Sequence, residues 1–398
     1  MRMFALVLIV SLSLIFLQDF YIYQQVKKRL QKPFLRMFFW LPALFFTMVF
    51  LTIRFGGGSL NTHHQYMSYF TWLLLAFVIF YIPKIFYILF DLLNKLLCLI
   101  IKKKVHLFSY IGMGLGALFI VLFIYGTFVT RFDFQVNTVE VEAENLPAAF
   151  DGFRIVQISD THLGNWNKNY QAMDTVSKLI MQQKPDMIVM TGDLVSNYAD
   201  ETDGWKPSFS TLKAPYGVYA IMGNHDYGDY SPWKTPQDKL NNLIAVHNAY
   251  QNLGFTLLLD STAIINKGGA QIGLIGMENW GHPPFPRYGK LQKAKRGSEK
   301  MAFNILLSHD PNHWNAEVTG KENITLTLAG HTHGMQMGID KWGIKFSPAQ
   351  WVFKQWKGLY KEGNQYIYVN EGIGYVGIPC RVGIRPEITV LILKRKVK

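Results

Sequence analysis

The chain has little cysteine, and its front third has almost no acidic residues. Only two of the 398 residues are cysteines, Cys98 and Cys380, and they lie far apart, so a disulfide framework is not expected. Residues 1–130 contain twelve lysines and arginines but only two acids, Asp19 and Asp91. Residues 131–398 contain 28 basic and 25 acidic residues, and this near balance lacks the electrostatic footprint of a nucleic-acid-binding protein.

Long apolar runs are concentrated in residues 1–130 and predict a transmembrane anchor of about four helices. Each run is close to the ~20 residues that a helix needs to cross the hydrocarbon core. The runs cover about residues 3–20, 37–53, 69–90 and 107–128. The first run could instead be a cleaved signal peptide, but no small-x-small site follows it. Residues 94–101 either extend the third span or lie at the membrane interface.

Basic residues between the spans predict the orientation. The loops after the first and third spans contain nine lysines and arginines, whereas the loop after the second contains only Arg54. Because short cytoplasmic loops carry the excess of positive charge, we expect an integral protein of the cell (inner) membrane whose residues 131–398 lie outside the cytoplasm. The spans have few ionisable residues and no evident repeat or paired charge, which favours an anchor over a transporter.

Five apolar runs in residues 131–398 end in polar groups. Ligands bind at the carboxyl ends of the strands in open α/β sheets, so these groups are expected to face one cleft. Helical spacing over residues 170–183, between two of the runs, supports a β-α-β order and an α/β layered fold. The polar groups are Asp160-Thr161-His162, Gly192-Asp193, Gly223-Asn224-His225-Asp226, Ser308-His309-Asp310 and Gly330-His331-Thr332-His333.

This series of motifs resembles the calcineurin-like metallophosphoesterase superfamily, and motifs nearer the carboxyl terminus resemble its membrane-anchored bacterial branch. The resemblance covers about residues 135–394 and implies a four-layer α/β/β/α sandwich with two mixed sheets. It also implies two metal ions bridged by Asp193. The further ligands that it implies are Asp160, His162 and His333 for the first metal, and Asn224, His309 and His331 for the second.

The resemblance gives Asn224 and His225 contacts with the substrate, and His225 would bind the phosphoryl group or protonate the leaving oxygen. Relatives often orient this histidine with an aspartate three residues after the bridging one. Here that position is Ser196, which leaves open what orients His225. Relatives also commonly have two glycines after the His-Thr-His, whereas Gly334 is followed by Met335, a change expected to alter the cleft wall without removing a ligand.

By this resemblance, the chain is a membrane-anchored phosphoesterase that uses two divalent metals to hydrolyse a phosphomonoester or phosphodiester. Nitrogen and oxygen ligands without thiolate suit manganese, iron or zinc. A lipid-linked or cell-envelope phosphate is one candidate substrate. A UDP-2,3-diacylglucosamine-type pyrophosphohydrolase is an alternative that the predicted topology disfavours, and a non-catalytic membrane sensor or binding module is another. The sequence carries no signal for the oligomeric state.

Two stretches have a composition that suits a membrane interface. Residues 290–300 are basic with little apolar content, and residues 341–361 place aromatic rings between five lysines. Such stretches form either a headgroup-facing surface or a solvated loop with core aromatics, and both alternatives stay open. The aromatic residues are Trp342, Phe346, Trp351, Phe353, Trp356 and Tyr360.

Overall fold

A computed structural model describes residues 2–55, 64–283 and 286–396, and its contacts divide the chain into residues 1–125 and 126–398. Four helices come first: α1 (Arg2–Val26), α2 (Pro33–Phe55), α3 (His64–Ile101) and α4 (Leu107–Phe128). Among the described residues, three stretches are long and apolar enough to cross a membrane: Pro33–Thr52, Tyr69–Ile101 and Leu107–Phe132.

Helix α1 contains the first run that the sequence singled out, residues 3–20. Residues 94–101 form the last turns of α3 and continue the helix of the third run. Residues 56–63, which include most of the glycine-rich second loop, lie outside the described residues.

The helical unit contains paired charges, so the expectation of none among the spans was wrong. Lys84 Nζ lies 2.6 Å from one carboxylate oxygen of Asp19, and the Tyr81 hydroxyl donates a hydrogen bond to the other at 3.0 Å. A second carboxylate, Asp91, accepts a hydrogen bond from Tyr21 at 2.7 Å. Charged groups inside a membrane span are costly unless they are paired. These contacts therefore hold α1 against α3.

Replacing Lys84 with methionine is expected to destabilise the helical unit by roughly 2–4 kcal/mol, because it leaves the Asp19 carboxylate buried and unpaired. The measurement is the unfolding of the full chain in mixed detergent micelles. Lys95→Met is the matched control, since Lys95 is 54% exposed and its pair with Asp91 should contribute about 1 kcal/mol or less. Equal losses in the two variants would show that the Asp19–Lys84 pair has no special role.

The described part of the second unit has fourteen strands and four helices. The strands of its two large sheets are β1 (Gln135–Ala143), β2 (Arg154–Ile158), β3 (Met187–Met190), β4 (Val218–Ala220), β5 (Thr256–Leu257), β6 (Ser261–Lys267), β7 (Ala270–Gly276), β8 (Asn304–Leu307), β9 (Leu326–Ala329), β12 (Gly358–Glu362), β13 (Gln365–Val369) and β14 (Glu387–Arg395). A separate hairpin consists of β10 (Ile339–Lys341) and β11 (Ile344–Phe346). The helices are α5 (Tyr170–Gln182), α6 (Lys206–Phe209), α7 (Pro236–Asn252) and α8 (Leu291–Ala294).

Among these residues the two large sheets have six strands each. The first has the order β1-β14-β2-β3-β4-β5, in which β2 to β5 are parallel. The second has the order β12-β13-β9-β8-β7-β6, in which β13, β9, β8 and β7 are parallel. Both sheets are mixed, because each also contains antiparallel pairs such as β14–β2 and β6–β7. The prediction of two mixed sheets is confirmed.

The alternation of side chains along the strands builds the layers. Ile155 of β2 and Val189 of β3 face the core between the two sheets, together with Leu307 of β8. Their neighbours Val156 and Ile188 face the opposite way and pack against α5 and α7. A third cluster covers the outer face of the second sheet with α8 and the helical turn Trp314–Val318. The result is the four-layer α/β/β/α arrangement that the resemblance implied.

Candidate metal centre

The five strand ends bring the seven predicted ligands into one place. Strands β2, β3 and β4 end just before Asp160, Asp193 and Asn224, and β8 and β9 end just before His309 and His331. Parallel neighbours present their carboxyl ends at the same edge of a sheet, so polar residues far apart in sequence converge there. Two groups have ligand atoms within 4.8 Å of one another: Asp160 with His162 and His333, and Asp193 with His309 and His331.

Asp193 lies between these two groups. Its Oδ2 is 3.2 Å from His309 Nε2 and 3.6 Å from His162 Nε2. The Asp160 carboxylate lies 3.3 Å from His333 Nε2 and 4.0 Å from His309 Nε2. Asn224 Oδ1 completes the second group at 3.0 Å from His309 Nε2. The two ligand groups are therefore adjacent, and Asp193 Oδ2 lies within 3.6 Å of a histidine of each.

The residues present fit metal ions. His162 Nε2 lies 3.2 Å from His333 Nε2, and two imidazole nitrogens at that distance need a proton or a cation between them. His162 is fully buried, and its Nδ1 has no hydrogen-bond partner within the described residues. Neutral imidazole and carboxylate groups are the ligands that zinc and its first-row neighbours accept.

Five of the seven predicted metal ligands have a left-handed backbone conformation. Such a conformation costs a non-glycine residue about 1–3 kcal/mol, and strain of this kind clusters at functional sites. Surrounding contacts must therefore hold the loops in place. The φ angles are 53° at Asp160, 45° at His162, 56° at Asp193, 73° at His331 and 48° at His333.

Two glycines of the motifs allow the loops to approach each other closely. A Cβ on Gly223 would lie 2.2 Å from Asp193 Oδ1, and a Cβ on Gly330 would lie 2.3 Å from Asp160 Oδ2. Both distances are far below van der Waals contact, so an alanine at either position would displace a carboxylate of the site. The glycines belong to the site because they leave room for its ligands.

Asp226 holds two of the ligand-bearing loops together. Its buried carboxylate accepts hydrogen bonds from the backbone N–H groups of Asp193 and Gly223, both at 2.9 Å. It also accepts one from Val195 N–H at 3.1 Å and one from the Tyr250 hydroxyl at 2.7 Å. Asp226 therefore positions the loops and takes no part in orienting His225.

The Ser196 carbonyl takes the place of the aspartate that relatives often use to orient His225. His225 Nδ1 lies 2.9 Å from the Ser196 backbone oxygen, which can only accept, so Nδ1 carries the proton and donates it. The loop that presents this oxygen is held by buried Glu201. That carboxylate accepts hydrogen bonds from the N–H groups of Ser196 (2.7 Å) and Asn197 (2.8 Å), and from Gly164 beside His162 (3.2 Å). Sequence patterns contain no signal for a backbone acceptor.

Tyr230 orients the Asn224 amide. Asn224 Nδ2 donates a hydrogen bond to the Tyr230 hydroxyl at 2.8 Å, so Oδ1 is turned towards His309. The Tyr230 ring also lies against His225, with 4.6 Å between ring centroids. The sequence reasoning missed Tyr230, which has no motif of its own and lies six residues after Asn224.

Burial and neighbouring charges shift the pKa values of several buried groups at the site, some downward and some upward. Burial lowers the pKa of His162 to about 3. Burial also opposes protonation of His309, but the Asp193 carboxylate outweighs it and raises the pKa of His309 to about 10. Burial, reinforced by the charge of Asp193, raises the pKa of Asp226 to about 7. In the metal-free protein His309 and Asp193 therefore form an ion pair.

Metal binding is expected to release about one proton at about pH 8, because His309 must give up the proton on Nε2 to act as a ligand. The apparent metal affinity should therefore rise with pH until the pKa of about 10 is reached. Calorimetric titration with Mn²⁺ in two buffers of different ionisation enthalpy measures the release. His247→Gln, a half-buried histidine outside both ligand groups, should behave as wild type, whereas His309→Gln should lose the buffer dependence. Equal heats for the wild-type protein in both buffers would contradict the prediction.

A cavity of about 470 Å³ opens beside the second ligand group. Asn224, Tyr230 and His331 line its inner end, and Trp280, His282 and Phe353 are among the residues that line the rest. The Phe353 ring touches the His331 ring, with 5.4 Å between centroids. The cavity therefore offers an apolar wall to a group bound next to the ligands.

Comparisons with known proteins identify the family of the chain. A family profile described as calcineurin-like phosphoesterase matches residues 153–335, and the profile named 4TM phosphoesterase, for the transmembrane domain of such proteins, matches residues 1–131. The metallophosphoesterase YkuE of Bacillus subtilis is 33% identical over 269 residues, which cover 65% of this chain and 86% of YkuE. The chain therefore belongs to the calcineurin-like phosphoesterases, in a form that carries a membrane domain.

Two further relatives show the range of the similarity. A bovine transmembrane protein with a metallophosphoesterase domain is 30% identical over 268 residues, 65% of this chain and 57% of that protein. The phosphodiesterase YaeI of Escherichia coli is 28% identical over 242 residues, 61% of this chain and 82% of YaeI.

Proposed function

We propose that this protein hydrolyses phosphomonoesters or phosphodiesters with two divalent metal ions bound at the strand ends. The observation that carries the proposal is the pair of adjacent ligand groups that share Asp193. Asp160, His162 and His333 would hold one ion, and Asn224, His309 and His331 the other. When bound, such ions supply Lewis-acid activation of water and of the phosphoryl oxygens.

The choice of ligands favours a phosphate substrate. Asp160 and Asp193 are the two carboxylates among the seven ligands, and the other five are neutral when they bind a metal. Two divalent cations would therefore keep a net positive charge, which stabilises the negative charge that grows on the phosphoryl oxygens. An all-carboxylate site would cancel that charge.

His225 is the proposed proton donor. Because Nδ1 is committed to the Ser196 carbonyl, only Nε2 is left for proton exchange. As an imidazolium, His225 would donate the Nε2 proton to the oxygen that leaves phosphorus. The neighbouring rings of His162 and Tyr230 keep the imidazole in place, with centroids at 4.9 and 4.6 Å.

A substrate screen of the purified full chain tests the proposal. The chain is freed of metal, reloaded with Mn²⁺, Fe²⁺ or Zn²⁺, and assayed against phosphomonoesters, phosphodiesters, nucleotide sugars and phospholipids. We expect metal-dependent hydrolysis of at least one phosphoester class. Selective cleavage of UDP-sugars would favour the pyrophosphohydrolase, and metal binding without any turnover would favour the sensor.

We further propose that residues 131–398 lie outside the cytoplasm, from the nine basic residues in the first and third loops against one in the second. A carboxyl-terminal alkaline phosphatase fusion is expected to be active, and a fusion to a reporter that works only in the cytoplasm is expected to be inactive. The opposite pattern would reverse the orientation and remove the objection to a cytoplasmic nucleotide-sugar substrate.

A further inference from the structure

The hairpin β10–β11 follows the ligand His333 and carries large apolar side chains on the outside of the domain. Both strands are exposed along their whole length. Trp342 at the turn is 90% exposed, and Trp351, just after the hairpin, is 74% exposed. The apolar residues of this interfacial surface are Ile339, Trp342, Ile344, Phe346, Trp351 and Val352.

In a hairpin of a soluble protein the apolar face usually packs against the domain, whereas here the polar face is attached to the domain. Ile339 pairs with Phe346 on the face that also carries Ile344, and Asp340 pairs with Lys345 on the opposite face. The polar face is attached to the domain through Lys357. Asp340 forms a salt bridge to Lys357 Nζ at 2.7 Å, and Lys345 Nζ donates to the Lys357 carbonyl at 2.6 Å. The apolar face is left outward.

Trp342 is an unusual residue for its turn. It and Gly343 have φ angles of 55° and 78°, as in a two-residue turn that favours asparagine, aspartate or glycine. A bulky side chain with positive φ adds strain, and an indole exposed to this extent adds little packing in return. Trp342 therefore contributes little packing to the hairpin that would offset this strain.

The interfacial surface continues to the cavity beside the metal centre. The Trp351 ring packs against Phe346, with 6.0 Å between centroids. The next residues, Val352 and Phe353, line the cavity, and Phe353 touches His331. A molecule held at the interfacial surface would therefore have a short apolar path to the ligands.

We propose that the interfacial surface inserts into the headgroup and upper acyl region of the membrane that anchors the chain, and that the site acts on lipid-linked phosphoesters. This substrate class rests on the proposed phosphoesterase function. Only residues 129–134 separate the end of α4, a helix long and apolar enough to cross a membrane, from the start of β1. Indole rings beside the exposed lysines Lys341 and Lys354 suit an anionic headgroup layer.

The structure divides the aromatic residues of 341–361 into exposed and buried ones. Trp342, Phe346 and Trp351 are exposed, as an interfacial role requires, whereas Trp356 is buried in a small core with Ala349 and Ile384. The basic stretch 290–300 contains helix α8, whose Leu291 and Ala294 are buried against the second sheet. The interfacial role is therefore assigned to the hairpin and not to the basic stretch.

Tryptophan quenching of the full chain in nanodiscs tests the insertion without reference to activity. Nanodiscs of phosphatidylcholine and phosphatidylglycerol are prepared with and without brominated acyl chains, for wild type and for Trp342→Phe/Trp351→Phe. We expect brominated lipid to quench part of the tryptophan emission of the wild-type protein. We expect this quenched part to be smaller in the double variant, because Trp342 and Trp351 contribute to it. The proposal is overturned if aqueous iodide, and not brominated lipid, quenches the emission that Trp342 and Trp351 contribute. It is also overturned if neither quencher reaches that emission, as in a contact with a protein or a second copy.

Kinetics then test the substrate class. Trp342→Ser/Trp351→Ser should lower hydrolysis of phosphatidic acid or phosphatidylglycerol in nanodiscs by about tenfold or more, with the rate on soluble bis(p-nitrophenyl) phosphate within about twofold of wild type. The matched control is Leu240→Ser/Ile244→Ser, two exposed apolar residues on α7, which should change neither rate. Parallel changes on both substrates, or no change on either, would overturn the lipid assignment. A wild-type protein that cleaves the soluble ester but not the lipid would overturn the lipid assignment alone. Hydrolysis of no ester in the wider screen would instead refute the phosphoesterase function, and the quenching result would still stand.

Discussion

Replacing Asp193 with asparagine is expected to lower the turnover of phosphoester hydrolysis by about three orders of magnitude or more, equivalent to about 4 kcal/mol of transition-state stabilisation. The Asp193 carboxylate lies near a histidine of each ligand group, at 3.2 Å from His309 and 3.6 Å from His162, and is proposed to bridge the two ions. An asparagine keeps the volume but loses the charge that would bind two cations. The defect should therefore appear in metal content as well as in rate.

The measurements are metal content by elemental analysis and turnover with each metal at saturation. Asp174→Asn is the matched control, because Asp174 lies exposed on α5 and should leave both values unchanged. Circular dichroism checks that both variants have the same secondary structure content as the wild-type protein. An Asp193→Asn protein that binds two metals per chain and hydrolyses test esters at the wild-type rate would remove the catalytic assignment.

The strand ends could be predicted from the sequence because their signals are local. Each of the five apolar runs is followed at once by its polar group, and β2, β3, β8 and β9 each end within two residues of that group. Helix α5 likewise starts at Tyr170, where the predicted helical spacing begins. Local patterns therefore predicted the strand ends and the β-α-β order, whereas the two mixed sheets and the four layers were predicted only from the family resemblance.

The supporting contacts could not be predicted, because each joins residues that are distant in sequence or uses the backbone. The Ser196 carbonyl that orients His225 lies 29 positions away, and any residue type supplies the same oxygen. Asp226 is part of a recognised motif, yet its role depends on backbone N–H groups more than 30 positions away. The Asp19–Lys84 pair joins residues 65 positions apart, so the charges appeared isolated in the sequence.

Replacing His225 with glutamine is expected to have an effect that depends on the leaving group. For an alkyl ester, whose alkoxide is a poor leaving group, the loss in kcat should be about 10²–10⁴-fold, the usual contribution of a general acid. For a p-nitrophenyl ester the loss should be much smaller, since p-nitrophenolate leaves without a proton. Rates over a series of phosphoesters of increasing leaving-group pKa measure the difference as a steeper slope for His225→Gln.

Ser196→Ala tests whether the Ser196 backbone carbonyl orients His225 without help from the serine hydroxyl, which has no hydrogen-bond partner among the described residues. The alanine keeps the backbone oxygen that accepts the Nδ1 proton at 2.9 Å, so the slope of the series should match that of wild type if the carbonyl alone holds the ring. Ser196→Pro, which removes the N–H that donates to Glu201, should shift the loop and steepen the slope. A uniform loss across all leaving groups in His225→Gln would show that His225 binds the phosphoryl group and does not donate the proton.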